Sequence, residues 1–188
     1  MRRAGHITLA LLALLAAPVT GFAAVIGGAF YASQYDYREF FAATDGKPFQ
    51  VVLAGNPFPG IDPAVVARDL LPAMQAAKPR PALTFTYEKP SPATRPDYRL
   101  VLVFDPALNL NSDPVCAGDP PRFRPGTPGR FYVYAIYCRN DRALSQTTAW
   151  TDATGPTDPR IERLFRELFL VVFSDQQNRW SLNDPMFR

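Results

Sequence analysis

The chain has 188 residues, 47% of them hydrophobic, enough for one domain with a real core and too apolar for wholesale disorder. Its formal charge is +3, but Arg2 and Arg3 stand at the extreme N terminus and the rest carries 18 basic against 17 acidic residues, a balance that lacks the electrostatic footprint of a nucleic-acid binder. The single histidine, His6, lies in the N-terminal segment, which removes Ser-His-Asp and Cys-His catalysis, a histidine general base and histidine-ligated zinc from everything after it.

Met1-Arg2-Arg3 is followed by the leucine-rich run Ile7–Ala17 and then Pro18. A basic start, a short apolar stretch and a breaker make a secretory signal, and Gly21-Phe22-Ala23 places small residues where a signal peptidase reads. Residues 1–23 are therefore expected to be a signal peptide. The competing reading is an uncleaved anchor extending to about residue 31, because no charge falls between Arg3 and Asp36 and a span needs about 20 residues. Either way the positive N terminus sends the remainder out of the cytoplasm. The expected location is exported: periplasmic, or anchored in the inner membrane and facing the periplasm. Cysteine use agrees, since Cys116 and Cys138 both lie in the exported part and an oxidising compartment favours their pairing as a disulfide.

Residues 24–46 read as a lead-in segment, with apolar Val25–Ala32 and then Tyr35–Phe41 as a short helix or a docking stretch. Residues 47–188 read as a single α+β domain. Lys47–Leu53 is its first strand, ending in the turn formers of Ala54–Gly60. Asp62-Pro63 opens a helix, with a carboxylate at the cap and proline at the first position. Val66, Leu70, Met74 and Ala77 give that helix one buried stripe, and Pro72 is expected to kink or split it. Leu83–Glu88 alternates like a half-exposed strand. Pro90, Pro92 and Pro96 then lead stiffly into Tyr98–Asp105. The continuous apolar run Leu100–Phe104 within it fits a central strand covered on both faces. Pro106–Gly129 is a long proline-rich loop, the kind that is functional or pinned, here by Cys116. Arg130–Cys138 and Ala143–Trp150 form a hairpin across Arg139–Arg142. Asp158-Pro159 starts the clearest helix, with Ile161, Leu164, Phe165, Leu168, Phe169 and Val172 on one face and Glu162 paired with Arg166 on the other. The tail offers Trp180 and Phe187 as docking points. This order predicts an α+β fold: a mainly antiparallel sheet of about five strands with two main helices packed on it, behind the signal or anchor segment.

No phosphate-cradling loop, dinucleotide fingerprint, G-x-S-x-G or H-E-x-x-H motif occurs, and the sequence calls for no cofactor. Carboxylates remain as an open route. Two of Asp105, Asp113, Asp119, Asp141 and Asp152 could converge on a glycan, although aspartate is also the ordinary residue of turns. Asn109–Asp113 has the alternating oxygens that begin a calcium loop but carries Pro114 where that loop needs glycine. The helix start after Gly55–Gly60 could meet an anion, except that Asp62 itself occupies those donors. Arg122, Phe123, Arg124 and Arg130 form a basic-aromatic patch suited to a protein partner, a glycan or anionic lipid headgroups.

Gly55-Asn56-Pro57-Phe58, then Tyr98-Arg-Leu-Val-Leu-Val-Phe-Asp-Pro106, then Cys116 and Cys138 together resemble a family of exported bacterial envelope proteins with no established activity. The resemblance covers most of the chain after the signal and implies an envelope location. The expected function is a non-catalytic exported envelope domain that binds a protein or cell-wall partner through the arginine patch, with a membrane tether if the N-terminal segment is retained. The alternatives are a histidine-free carboxylate enzyme acting on a glycan, and a small-ligand carrier.

Overall fold

A computed structural model describes residues 24–90 and 96–176. The signal or anchor segment and the docking points Trp180 and Phe187 lie outside the described residues.

The run Tyr98–Phe104 forms strand β5 at the centre of the molecule, and all but one of its residues are buried. Its neighbours come from both sequence directions. Pro48–Ala54 (β3) lies parallel to it on one side, with Val51 opposite Leu100. Arg130–Arg139 (β6) lies antiparallel on the other, with Leu102 opposite Ala135. Thr84–Thr86 (β4) pairs parallel with the far side of β3. Arg142–Asp152 (β7) closes the hairpin with β6. Two short strands, Val25–Ile26 (β1) and Phe30–Tyr31 (β2), then cover the outer edge of β7. The result is a seven-stranded mixed sheet in the order β1-β7-β6-β5-β3-β4, with β2 also on β7.

The fold is α+β, as expected, but the sheet is mixed rather than mainly antiparallel and has more strands than the five anticipated. The physical reason lies in two connections. Helix α2 (Pro63–Ala77) carries the chain from β3 back to a parallel β4, because a parallel return needs a crossover. Residues 24–46, expected to be a lead-in, supply β1 and β2, which satisfy the backbone edge that β7 would otherwise expose.

The period-two alternation of β5 and β6 sorts their side chains onto two faces. Leu100, Leu102 and Phe104 with Phe131, Val133, Ala135 and Tyr137 enter the main core. That core is closed by α2, by α4 (Pro159–Val172) and by α1 (Tyr37–Thr44). Val101, Val103, Tyr134, Ile136 and Cys138 face the opposite way into a smaller cluster. A six-residue helix, α3 (Ser112–Ala117), covers it through Val115 and Cys116. The long loop therefore contains a helix, held by the expected Cys116–Cys138 disulfide across a sequence separation of 22.

Local signals behave as their chemistry dictates. Asp62 Oδ1 accepts from Ala64 N at 2.8 Å, which caps α2. Of the kink or split expected at Pro72, the split does not occur: the helix runs unbroken from Pro63 to Ala77. Proline removes only one donor there, and the buried stripe Val66, Leu70, Met74 and Ala77 continues on both sides of it. The turn Asn140-Asp141 is shorter than the four-residue connection expected, with Asn140 in the left-handed region at φ +54°. On α4, Arg166 donates to Glu162 at 2.7 Å one turn away.

Asp158 caps α4 by accepting from Arg160 N at 3.0 Å, and Arg160 Nη2 pairs with its other oxygen at 2.6 Å. The Arg160 guanidinium, helped by backbone N–H donors, holds the Asp158 carboxyl well below the usual carboxylate range. A depressed folded-state value contributes stability above the unfolded value near 3.9, and that stability is lost as pH falls through the acid range. Asp158→Ala is expected to cost about 1–2 kcal/mol at neutral pH, read from urea unfolding. The same substitution should cost progressively less below about pH 4, while Asp158→Asn, which keeps the cap acceptor, should cost less than half as much.

Candidate functional site

Alternation along β6 places Arg130 and Tyr132 on the same face as Tyr134, away from the main core. Trp150 of β7 is the cross-strand partner of Tyr132 and shares that face. The Arg130 guanidinium lies 4.3 Å from the Trp150 ring centre, and the Arg124 guanidinium lies 4.7 Å from that of Tyr132. Two cations are thus stacked on two adjacent rings. Stacking immobilises a guanidinium without consuming its hydrogen-bonding edge, so each arginine still presents donors suited to a carboxylate. Arg130 Nε is buried and has no hydrogen-bond partner among the described residues.

The loop reaches this position because it is stitched to the end of β5. Ala107 N donates to Arg122 O at 2.9 Å, and Arg124 N donates to Asp105 O at 2.8 Å. Phe123 turns the other way and packs beside Gly55 at the end of β3. Gly55 has φ +84°, and a Cβ there would stand 2.9 Å from the Phe123 ring and 3.0 Å from Phe104 O. Only glycine fits that corner. Arg122 bends back to donate from Nη2 to Asn109 O at 3.3 Å. The patch read from the sequence therefore divides. Arg124 and Arg130 join the sheet face, whereas Arg122 and Phe123 stay on the loop beside Leu108, which is 91% exposed. Tyr132, which reads from the sequence as sheet face rather than ligand platform, and Trp150 complete the site. Their signal was the alternation of the hairpin, which puts both on the face opposite the core.

Four of the five aspartates fall at the two opposite ends of the hairpin. Asp105 and Asp152 sit at the end where β6 begins. Asp141 lies in the turn at the other end, and β6 between them spans roughly 30 Å. Asp113 is near that far end too, its Oδ1 accepting from Ala143 N at 2.9 Å. Asp119 follows α3, with its N–H bonded to Pro114 O at 2.9 Å. Asp105 has φ +46°, and burial pushes its carboxyl upward against the opposing charge of Arg124. Its carboxylate lies under Gly126, where a Cβ would come within 2.6 Å of Oδ2. Of the calcium-like stretch, Asn111 caps α3 by accepting from Asp113 N, and Asp113 tethers β7. Among the described residues no helix is long and apolar enough to cross a membrane.

Comparison with protein-family models, with curated proteins and with solved structures finds no match to this chain.

Proposed function

We propose that this chain is an exported envelope domain that works by binding a protein or cell-wall partner through the arginine–aromatic face. The basic N-terminal signal pattern supports export, and the buried disulfide is compatible with it. The single observation that carries the binding reading is the pair of guanidinium groups stacked on Tyr132 and Trp150, with Arg130 Nε unmatched among the described residues. A pre-ordered arginine on an aromatic platform gives up little further conformational entropy on binding, and Arg, Tyr and Trp are the residue types that dominate interface energies. The partner's complementary group is a carboxylate.

The test is cross-linking in the cells that make the protein, followed by recovery from soluble and membrane fractions. Arg124→Glu with Arg130→Glu should lower recovery of a cross-linked partner at least about 30-fold while leaving the unfolding midpoint near that of the parent. Equal recovery from both proteins would remove this face from the function. Intact mass of the same samples reports whether the chain starts near Ala24 in the soluble fraction or is full length in the membrane.

A further inference from the structure

On the same sheet face, toward the other end of the hairpin, a half-open cavity of about 310 Å³ lies between the edge strand β2 and the start of α3. It lies apart from the stacked arginines and borders the smaller core at Ala143. One wall is the β2–β7 ladder, where Phe30 stands opposite Gln146. The other is the first turn of α3, which cannot drift because Asp113 Oδ1 holds Ala143 N and the disulfide joins Cys116 to Cys138.

The groups that meet in this cavity form a complementary set. Arg142 lines it and makes no ion pair among the described residues. Asp113 lines it as well, with its second carboxylate oxygen left over from the Ala143 tether. Gln146 contributes a buried amide oxygen, Oε1, that has no hydrogen-bond partner among the described residues. A buried acceptor left unmatched costs about 1–3 kcal/mol, so a donor brought by a ligand would be favoured there. Phe30 supplies an aromatic surface that is 57% exposed in the structure. A cation, an anion, an orphan acceptor and an apolar ring around one small volume match a zwitterion with a hydrocarbon side chain.

We propose that this cavity is a binding site for a free α-amino acid with an apolar side chain. The ligand carboxylate pairs with the Arg142 guanidinium, its ammonium donates to Asp113 and Gln146 Oε1, and its side chain covers Phe30. The volume is at the low end of small-molecule sites, which run from about 300 to 1,000 Å³, and suits a ligand of this size rather than a longer chain. No covalent step is involved. The site is independent of the partner-binding face and stands or falls without it.

Equilibrium dialysis of the protein, purified from cells as they make it, against L-leucine tests the assignment. Saturable one-site binding is expected. Arg142→Gln, Asp113→Asn and Gln146→Met should each weaken it at least about tenfold, since each removes one charge-assisted or buried hydrogen-bond partner. Asparagine at 113 keeps an acceptor for Ala143 N, and urea midpoints of the variants separate lost binding from lost folding. N-acetyl-L-leucine, without the ammonium, and L-leucinamide, without the carboxylate, should compete at least about tenfold less well than L-leucine. No saturable uptake of L-leucine would overturn the proposal. So would binding indifferent to Arg142→Gln and Asp113→Asn, or equal competition by the N-acetyl compound.

Discussion

Replacing Cys116 and Cys138 together by alanine is expected to lower the stability of the domain by about 3 kcal/mol, the loop-closure value for a bridge of this span. The consequence reaches past chain entropy. The cysteines are 1% and 0% exposed, and among the described residues α3 is the only helix in the cluster that covers Val101, Val103 and Ile136. Without the bridge, α3 is held by the Asp113–Ala143 tether and by Arg99, whose Nη2 donates to Cys116 O. The double variant should therefore unfold at a urea concentration lower by about 1–2 M and should bind a hydrophobic dye that the parent ignores. A loss below about 1 kcal/mol would mean that packing and the two remaining hydrogen bonds hold α3 unaided.

A larger effect is expected at Phe40. Its ring is fully buried and stacks on Phe173 at 4.4 Å, with edge contacts to Tyr137 at 5.4 Å and Phe49 at 5.9 Å. It thereby joins α1 to the end of α4, to β6 and to β3. Phe40→Ala removes the ring from a site whose neighbours belong to separate elements and cannot all collapse inward, so about 3–5 kcal/mol should be lost in equilibrium denaturation. Phe41→Ala, one residue along and 41% exposed, should change stability by no more than about 0.5 kcal/mol. Comparable, small losses at both positions would mean that the segment before β3 merely rests on the domain. The buried ring and the β1–β7 and β2–β7 pairings instead tie it to the sheet and the main core.

The same contrast shows which features were readable from the chain. Leu100–Phe104 announced a strand with no wet face, and the structure covers it on both sides because five consecutive apolar side chains alternate between two cores. Asp62-Pro63 and Asp158-Pro159 announced helix starts, since capping is chemistry between residues adjacent in sequence. The oxidised cysteine pair followed from an expected compartment. The mixed sheet was not legible. Val25–Ile26 and Phe30–Tyr31 are too short to carry a period, and their place is set by the unsatisfied edge of β7 more than a hundred residues later. Pro72 does not split its helix, because four buried side chains on both sides of it hold that helix against the core.

Of the site, the arginines could be named from the sequence, but not what each one meets. Arg122 and Arg124 are two residues apart, yet one returns to the loop and the other stacks on Tyr132, because Asp105 and the Gly55 corner decide where the loop lies. The cavity draws on Phe30, Asp113, Arg142 and Gln146, residues from three elements with no shared motif. Sequence by itself determined what depends on neighbours along the chain: helix caps, the buried run of β5 and the hairpin. Tertiary structure alone decided the strand order, the split of the arginine patch and the meeting of opposite charges around one small volume. Those depend on distances between residues far apart in sequence, which are set only when burial of the two sheet faces fixes where each loop can go.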